Sequence, residues 1–340
     1  MKQPHDCPLN GVLPELLGPR AWAALREGIA VPRLRSGAPP GSYGAAEVAL
    51  ALALTLFDDL CARVPLARAY AHECAASRRP LVFDHGAMRT VAAPSGALPA
   101  GRRAVARLLE PLGYVATRRY PLASLGMTGH VYSHRAQPAD LPQYFVSELH
   151  PERLSPEVAR AAEGLLATSV DPLGPWAAAQ LVRLAGGAFL SRAELLRLIP
   201  ALVACFARHH REPTLAEYEL FAGESAELAW IATEGHSFNH ITDRVDDVEQ
   251  VALRQRELGR PVKEAVEVSE SGRVRQTALR AAYVERVFAA GDRFVTRIVP
   301  GSFLEFISRQ PTASGELDLA FDAQNAQGIF KMTDAGVSRG

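Results

Sequence analysis

The sequence predicts an α+β protein made of two βαβββ modules that form a cleft, with N-terminal helices and a helical insertion. Three observations point to this class. A strand-like run, a helical run and three further strand-like runs succeed one another within residues 79–150. The same order returns within residues 233–312. Ser155 to Leu228, between them, carry helical patterning. The modules share element order, not sequence identity. The chain therefore divides into an N-terminal helical region (1–78), a first module (79–150), a helical insertion (151–232), a second module (233–312) and a C-terminal tail (313–340). The insertion is expected to lie outside the cleft.

Residues 10–75 read as helices punctuated by Pro14, Pro32 and Pro39-Pro40-Gly41. Pro80 to Ala92 reads as a strand, and Gly101 to Leu112 as a helix that stops at Gly113. Strands are expected at Tyr114 to Leu122, Gly129 to Ser133 and Gln143 to Leu149. Helices are expected at Pro156 to Leu166, Pro175 to Leu184, Arg192 to Arg208 and Leu215 to Ala222. The second module opens with a strand, Ser237 to Val245, and a helix, Asp246 to Leu258. Asp246 and Asp247 suit the positive end of that helix, and Gly259 and Pro261 stop it. Val262 to Ser269, Gln276 to Phe288, Arg293 to Val299 and Ser302 to Ser308 supply its remaining strands.

The 340 residues are 48% hydrophobic and 22% charged, enough apolar content for a buried core. Thirty-seven basic and 37 acidic residues balance, so no global attraction to nucleic acid or to an anionic membrane is expected. Met1 to Pro8 lacks the apolar core of a secretory signal. Ala45 to Phe57 is too short to span a membrane and reads as a buried helix. The cysteines Cys7, Cys61, Cys74 and Cys205 are scattered without metal-site or disulfide spacing, and the last three sit in apolar helical contexts. A cytoplasmic protein is expected; its oligomeric state is not legible.

Three side chains stand out by position. His85 and His240 lie in the first strands of the two modules, and Glu305 in the last strand of the second. Two imidazoles and a carboxylate are the donor set of the facial triad that holds iron(II) with open positions. Glu305 lies among Phe303, Leu304, Phe306 and Ile307, where a buried carboxylate is costly unless paired; it can also face solvent on a polar side. His236 competes with His240 as the second histidine. Glu148 is a candidate fourth ligand, or an acceptor that orients a histidine. Arg89, four residues after His85, shares its strand face and can grip a substrate carboxylate, or form an ion pair with Asp84 or Asp243. Arg244 follows His240 at the same spacing. His130, His134 and His150 read as structural, and His209-His210 as cationic side chains at a helix C-terminus.

The strings Asp84-His85-Gly86-Ala87-Met88-Arg89-Thr90 and Asn239-His240-Ile241-Thr242 resemble signature segments of the 2-oxoadipate dioxygenase/decarboxylase family, within the vicinal oxygen chelate (glyoxalase-like) superfamily. Phe145 to Leu149 and Pro300 to Phe306 are similar to further segments of that family. The resemblance runs from about Pro80 to Arg309. It implies paired βαβββ modules and an iron(II) centre at His85, His240 and Glu305. It implies a 2-oxo acid and dioxygen as reactants, bound around His85, Arg89 and His240, with Arg89 as the catalytic grip on the substrate carboxylate. The implied reaction turns 2-oxoadipate into 2-hydroxyglutarate and carbon dioxide, a step of lysine breakdown. Two other readings remain: a glyoxalase- or isomerase-type metalloenzyme using zinc or nickel on the same fold, and a non-catalytic protein that binds a small molecule in the cleft.

Overall fold

The computed structural model describes residues 8–35 and 37–322. Met1 to Cys7 and residues 323–340 of the expected tail lie outside the described residues. Helices α1 (Leu13–Leu17) and α2 (Pro19–Gly28), strand β1 (Ser42–Tyr43) and helices α3 (Ala45–Arg63) and α4 (Pro65–Ala76) come first. The first module comprises β2 (Phe83–Val91), α5 (Arg103–Leu109), β3 (Tyr114–Leu122), β4 (Met127–His134) and β5 (Gln143–Leu149). The intervening stretch holds α6 (Pro156–Leu166), α7 (Pro175–Ala185), β6 (Leu190–Ser191, paired with β1), α8 (Arg192–Val203), α9 (Leu215–Glu224) and α10 (Ala226–Glu234). The second module comprises β7 (Phe238–Arg244), α11 (Val248–Glu257), β8 (Glu267–Val268), β9 (Val274–Ala278), β10 (Tyr283–Ala290), β11 (Arg293–Pro300) and β12 (Phe303–Arg309).

The two modules join edge to edge in one eight-stranded sheet that curls into a half-barrel, in the order β3-β4-β5-β2-β7-β12-β9-β8. Their first strands, β2 and β7, lie antiparallel at its centre, each with its module's last strand parallel beside it. A central strand covered on both faces must be apolar or satisfied throughout, and Asp84 to Val91 are all buried. One face, through Met88, Tyr144, Val146, Ile241, Leu304 and Phe306, packs on the core that includes α3 and α4. The apolar run of α3 is buried in that core, as its composition requires. The other face, through Ala87, Val91, Phe145, Leu149, Ala278 and Phe303, packs with α6, α9 and α10. The expected α+β class with paired modules is what the chain forms.

Two expectations change. The 155–228 stretch does not lie wholly outside the cleft, because Glu227, at the start of α10, pairs with Arg89 on the sheet face that carries His85. The expected strand Gln276 to Phe288 is two strands: β9 ends at Ala278, and β10 leaves the main sheet to form a separate hairpin with β11. The link between them follows β12 instead, with Leu279 N–H bonding Leu304 O and Ala282 N–H bonding Ser302 O. Among the described residues no helix is long and apolar enough to cross a membrane.

Candidate metal centre

The register of β2 against β7 slips twice, and each slip builds part of the site. Phe83 pairs with Asp243 and His85 with Thr242, so Asp84 is an extra residue on β2. Ala87 pairs with His240 and Met88 with Phe238, so Asn239 is an extra residue on β7. Such bulges re-aim side chains. Here each brings the residue preceding a histidine onto that histidine's ring. His85 Nδ1–H donates to Asp84 Oδ1 at 2.8 Å, and Asn239 Nδ2 lies 3.1 Å from His240 Nδ1. An amide rotated to present Oδ1, which has no partner among the described residues, would accept from His240 Nδ1–H. Both rings then turn Nε2 inward. Sequence reading missed these partners, although each stands one residue before its histidine.

Glu305 completes the group from β12. His85, His240 and Glu305 are buried, and one donor atom of each lies within 4.8 Å of the others. Glu305 Oε2 is 3.2 Å from His85 Nε2 and 3.3 Å from His240 Nε2. Two donors each ~2.1 Å from one ion stand roughly 3.0 Å apart at a right angle and about 3.4 Å apart at the tetrahedral angle. The donor set, and the spacing of Glu305 from each histidine, therefore fit a single divalent metal. Thr242 Oγ1–H donates to Glu305 Oε2 at 2.6 Å and fixes the carboxylate.

Burial alone would raise the Glu305 pKa, yet the imidazoles of His240 and His85 hold it well below the usual carboxylate range. Burial would lower His85, but bonds to Asp84 and Glu305 outweigh it and raise the pKa. Burial dominates at His240 and lowers it despite Glu305. The difference follows from the neighbouring charges: the Asp84 carboxylate adds to Glu305 at His85, whereas His85 and Arg89 add to the lowering at His240.

The surroundings are aromatic. Phe303 lies 4.8 Å from His240 and Phe321 4.8 Å from His85 between ring centroids, and Phe145 lies 5.3 Å from Phe321. Gln143, opposite His85 on β5, is buried and donates from Nε2 to Ser133 Oγ, while its Oε1 has no partner among the described residues.

Arg89 does share the His85 face, with no side-chain exposure. Its ion-pair partner is neither Asp84 nor Asp243. Nε lies 2.9 Å from Glu227 Oε2, and the guanidinium stacks 4.7 Å above the Trp230 ring. Both partners come from α10, which sequence spacing could not connect to β2. Asp84 instead pairs with Arg309, and Asp243 with Arg79 and the Tyr70 hydroxyl. Arg244, at its strand's end, keeps a quarter of its side chain exposed and only approaches Asp84, at 3.7 Å.

Glu148 and His236 are not brought to this group. Parallel pairing sets Ser147 beside Arg89 and Glu148 beside Thr90, so Glu148 points to the opposite sheet face, accepting from Arg102 N–H and lying 3.5 Å from His130. In matching register, Glu305 sits two residues beyond the partner of His240, and Phe145 sits two beyond the partner of His85. Phe145 thus occupies the place of a fourth ligand. His236 lies beside His209, 6.1 Å between ring centroids, and lines a small cavity with His210, Ser95 and Ser169. His209 and His210 lie beyond the end of α8, not at a helix end as expected, and burial lowers both pKa values, which disfavours the expected cations.

A family model described as 2-oxoadipate dioxygenase/decarboxylase matches residues 53–331. A solved structure from Ralstonia eutropha JMP134, described as a glyoxalase superfamily protein, is 45% identical over 95% of this chain and 99% of its own, with a TM-score of 0.90. The hydroxyglutarate synthase of Oryza sativa, solved with 2-oxoadipate, is 18% identical and covers 89% of this chain and 99% of its own (TM-score 0.67). That of Pseudomonas putida, also solved with 2-oxoadipate, is 17% identical and covers 88% and 76% (TM-score 0.62). At those identities the two synthases share the fold. No curated protein matches the chain.

Proposed function

The chain belongs to the 2-oxoadipate dioxygenase/decarboxylase family of the glyoxalase-like (vicinal oxygen chelate) superfamily, and from that membership we propose that it converts a 2-oxo dicarboxylic acid of the 2-oxoadipate type to a 2-hydroxy acid and carbon dioxide. The observation that carries the reading is the His85, His240 and Glu305 group, with both Nε2 atoms turned toward one carboxylate oxygen. These residues would hold iron(II). When bound, iron(II) supplies a seat for the 2-oxo acid and the activation of dioxygen.

The protein's own contribution is placement and dryness. Asp84 and Asn239 hold the rings, and Thr242 holds Glu305. Phe145, Phe303 and Phe321 exclude water around the reacting end. Arg89 lies on the His85 face, roughly 13 Å further along the backbone, with a side chain long enough to reach back. It would receive the far carboxylate of the substrate, with Glu227 and Trp230 setting the guanidinium plane. This favours a dicarboxylic over a monocarboxylic 2-oxo acid.

The test is an oxygen-electrode assay on protein loaded with iron(II) under anaerobic conditions, with 2-oxoadipate and a series of 2-oxo acids. Matched oxygen uptake and carbon dioxide release, with 2-hydroxyglutarate as product, is expected. Iron-loaded, folded protein that consumes no oxygen with any of them would defeat the reading. Turnover on zinc or nickel without oxygen uptake would replace it with isomerase-type chemistry.

A further inference from the structure

The carboxylate behind His85 has a second task. Asp84 accepts from His85 Nδ1–H and also faces Arg309, whose Nε lies 3.0 Å from Oδ2 and whose Nη2 lies 2.9 Å from Oδ1. Arg309 comes from the end of β12, four residues after Glu305, and its side chain is fully buried. Its remaining nitrogen, Nη1, donates to two backbone carbonyls beyond the second module, Asp318 O at 3.0 Å and Ala320 O at 2.6 Å. The guanidinium also lies 4.9 Å from the Phe321 ring. Phe321 in turn sets its ring edge against His85, 4.8 Å away.

The same segment reaches the first module. Phe321 N–H donates to Tyr120 Oη at 3.0 Å, and Gln143 Nε2 to Leu319 O at 3.4 Å. Residues 318–321 are neither helix nor strand, so their backbone groups depend on such partners. One planar guanidinium therefore ties the segment that covers His85 to the carboxylate that orients His85. A lysine cannot make this arrangement, because it lacks the rigid fork.

We propose that Arg309 is a positioning residue that couples the seating of residues 318–321 over the site to the orientation of His85 as a metal ligand. The proposal rests on the metal-centre reading above. Coupling of this kind is reciprocal: metal binding firms the segment, and loosening the segment weakens metal binding by the same factor.

The experiment compares wild type, Arg309→Lys and the double variant Asp84→Asn/Arg309→Met. The double variant removes both buried charges together and keeps an acceptor for His85. Each protein is titrated anaerobically with iron(II) against a chromophoric chelator. Amide hydrogen exchange of residues 316–322 is followed with and without iron(II). In wild type, iron(II) should slow exchange in the segment. In both variants the segment should exchange at least ~10-fold faster and lose its response to iron(II), with iron affinity down ~10–100-fold, the range typical of residues that orient a ligand. A loosened segment with wild-type iron affinity would reduce Arg309 to a structural tie and overturn the coupling. Wild-type exchange in both variants would overturn it as well. Wild type that binds no iron(II) would instead defeat the metal-centre reading, which separates the two failures.

Discussion

Arg89 and Glu227 form a buried ion pair beside an indole, far from each other in sequence. Removing one partner of such a pair typically costs about 3–5 kcal/mol, because the other charge stays buried. Arg89→Met should therefore destabilise the protein by about that amount in urea melts, and Arg89→Met/Glu227→Gln by clearly less. The double variant should keep its iron yet lose ~30-fold or more in kcat/KM on 2-oxoadipate, with far less effect on a monocarboxylic 2-oxo acid. Equal losses on both substrates would mean that Arg89 serves the fold alone. His85, His240 and Glu305 were legible because strand patterning and chemistry coincide at them. Glu227, Trp230 and Phe321 were not, since nothing in local spacing ties a helix or the segment after β12 to a strand face; Arg309 follows Glu305 by four residues on β12, the spacing that singled out Arg89 and Arg244, and could have been found the same way. Asp84 and Asn239 were hidden for a different reason: regular alternation turns a neighbouring residue to the opposite face, and only a bulge overrides this.

Strand β2 shows what an element must satisfy to hold such a site. A Cβ on Gly86 would lie 2.5 Å from the Phe238 ring, which is itself fully buried among aromatic neighbours. Gly86→Ala should cost about 1–3 kcal/mol through overpacking. Phe238 adjoins the Asn239 bulge, so the variant should also bind iron(II) more weakly. A thermal melt and an iron titration at wild-type values would contradict this. The first strand of the first module was legible from the apolar, β-branched run of Pro80 to Ala92. The β10–β11 hairpin was not, because one apolar stretch fits a sheet strand and an outlying hairpin equally well. The misplacement of Glu148 has the same origin. The sequence orders it within its strand, but only the pairing of Thr90 with Glu148 reveals which face it takes.

At the scale of the molecule, the paired modules were legible from element order, but their union in one sheet through β2 and β7 was not, since nothing local encodes which edges meet. The fold also packs histidines together away from the site, with His236 half-buried beside His209. Burial, His209, His210 and Arg107 push the His236 pKa down to about 3. An unfolded histidine takes up its proton near pH 6.5. Below that pH the unfolded chain binds more protons than the folded one. The His236 contribution is thus full above pH ~6.5 and is lost as pH falls toward ~3, by up to about 1.4 kcal/mol per pH unit. Tm of the metal-free protein should fall less steeply between pH 7 and 5 in His236→Gln than in wild type, and equal slopes would contradict the assignment. The central claim, one iron(II) held by His85, His240 and Glu305, is tested most directly by anaerobic iron(II) titration of wild type beside Glu305→Ala, with folding checked by circular dichroism. One tightly bound equivalent in wild type and none in the variant is the expected result; a full equivalent retained by folded Glu305→Ala would contradict it.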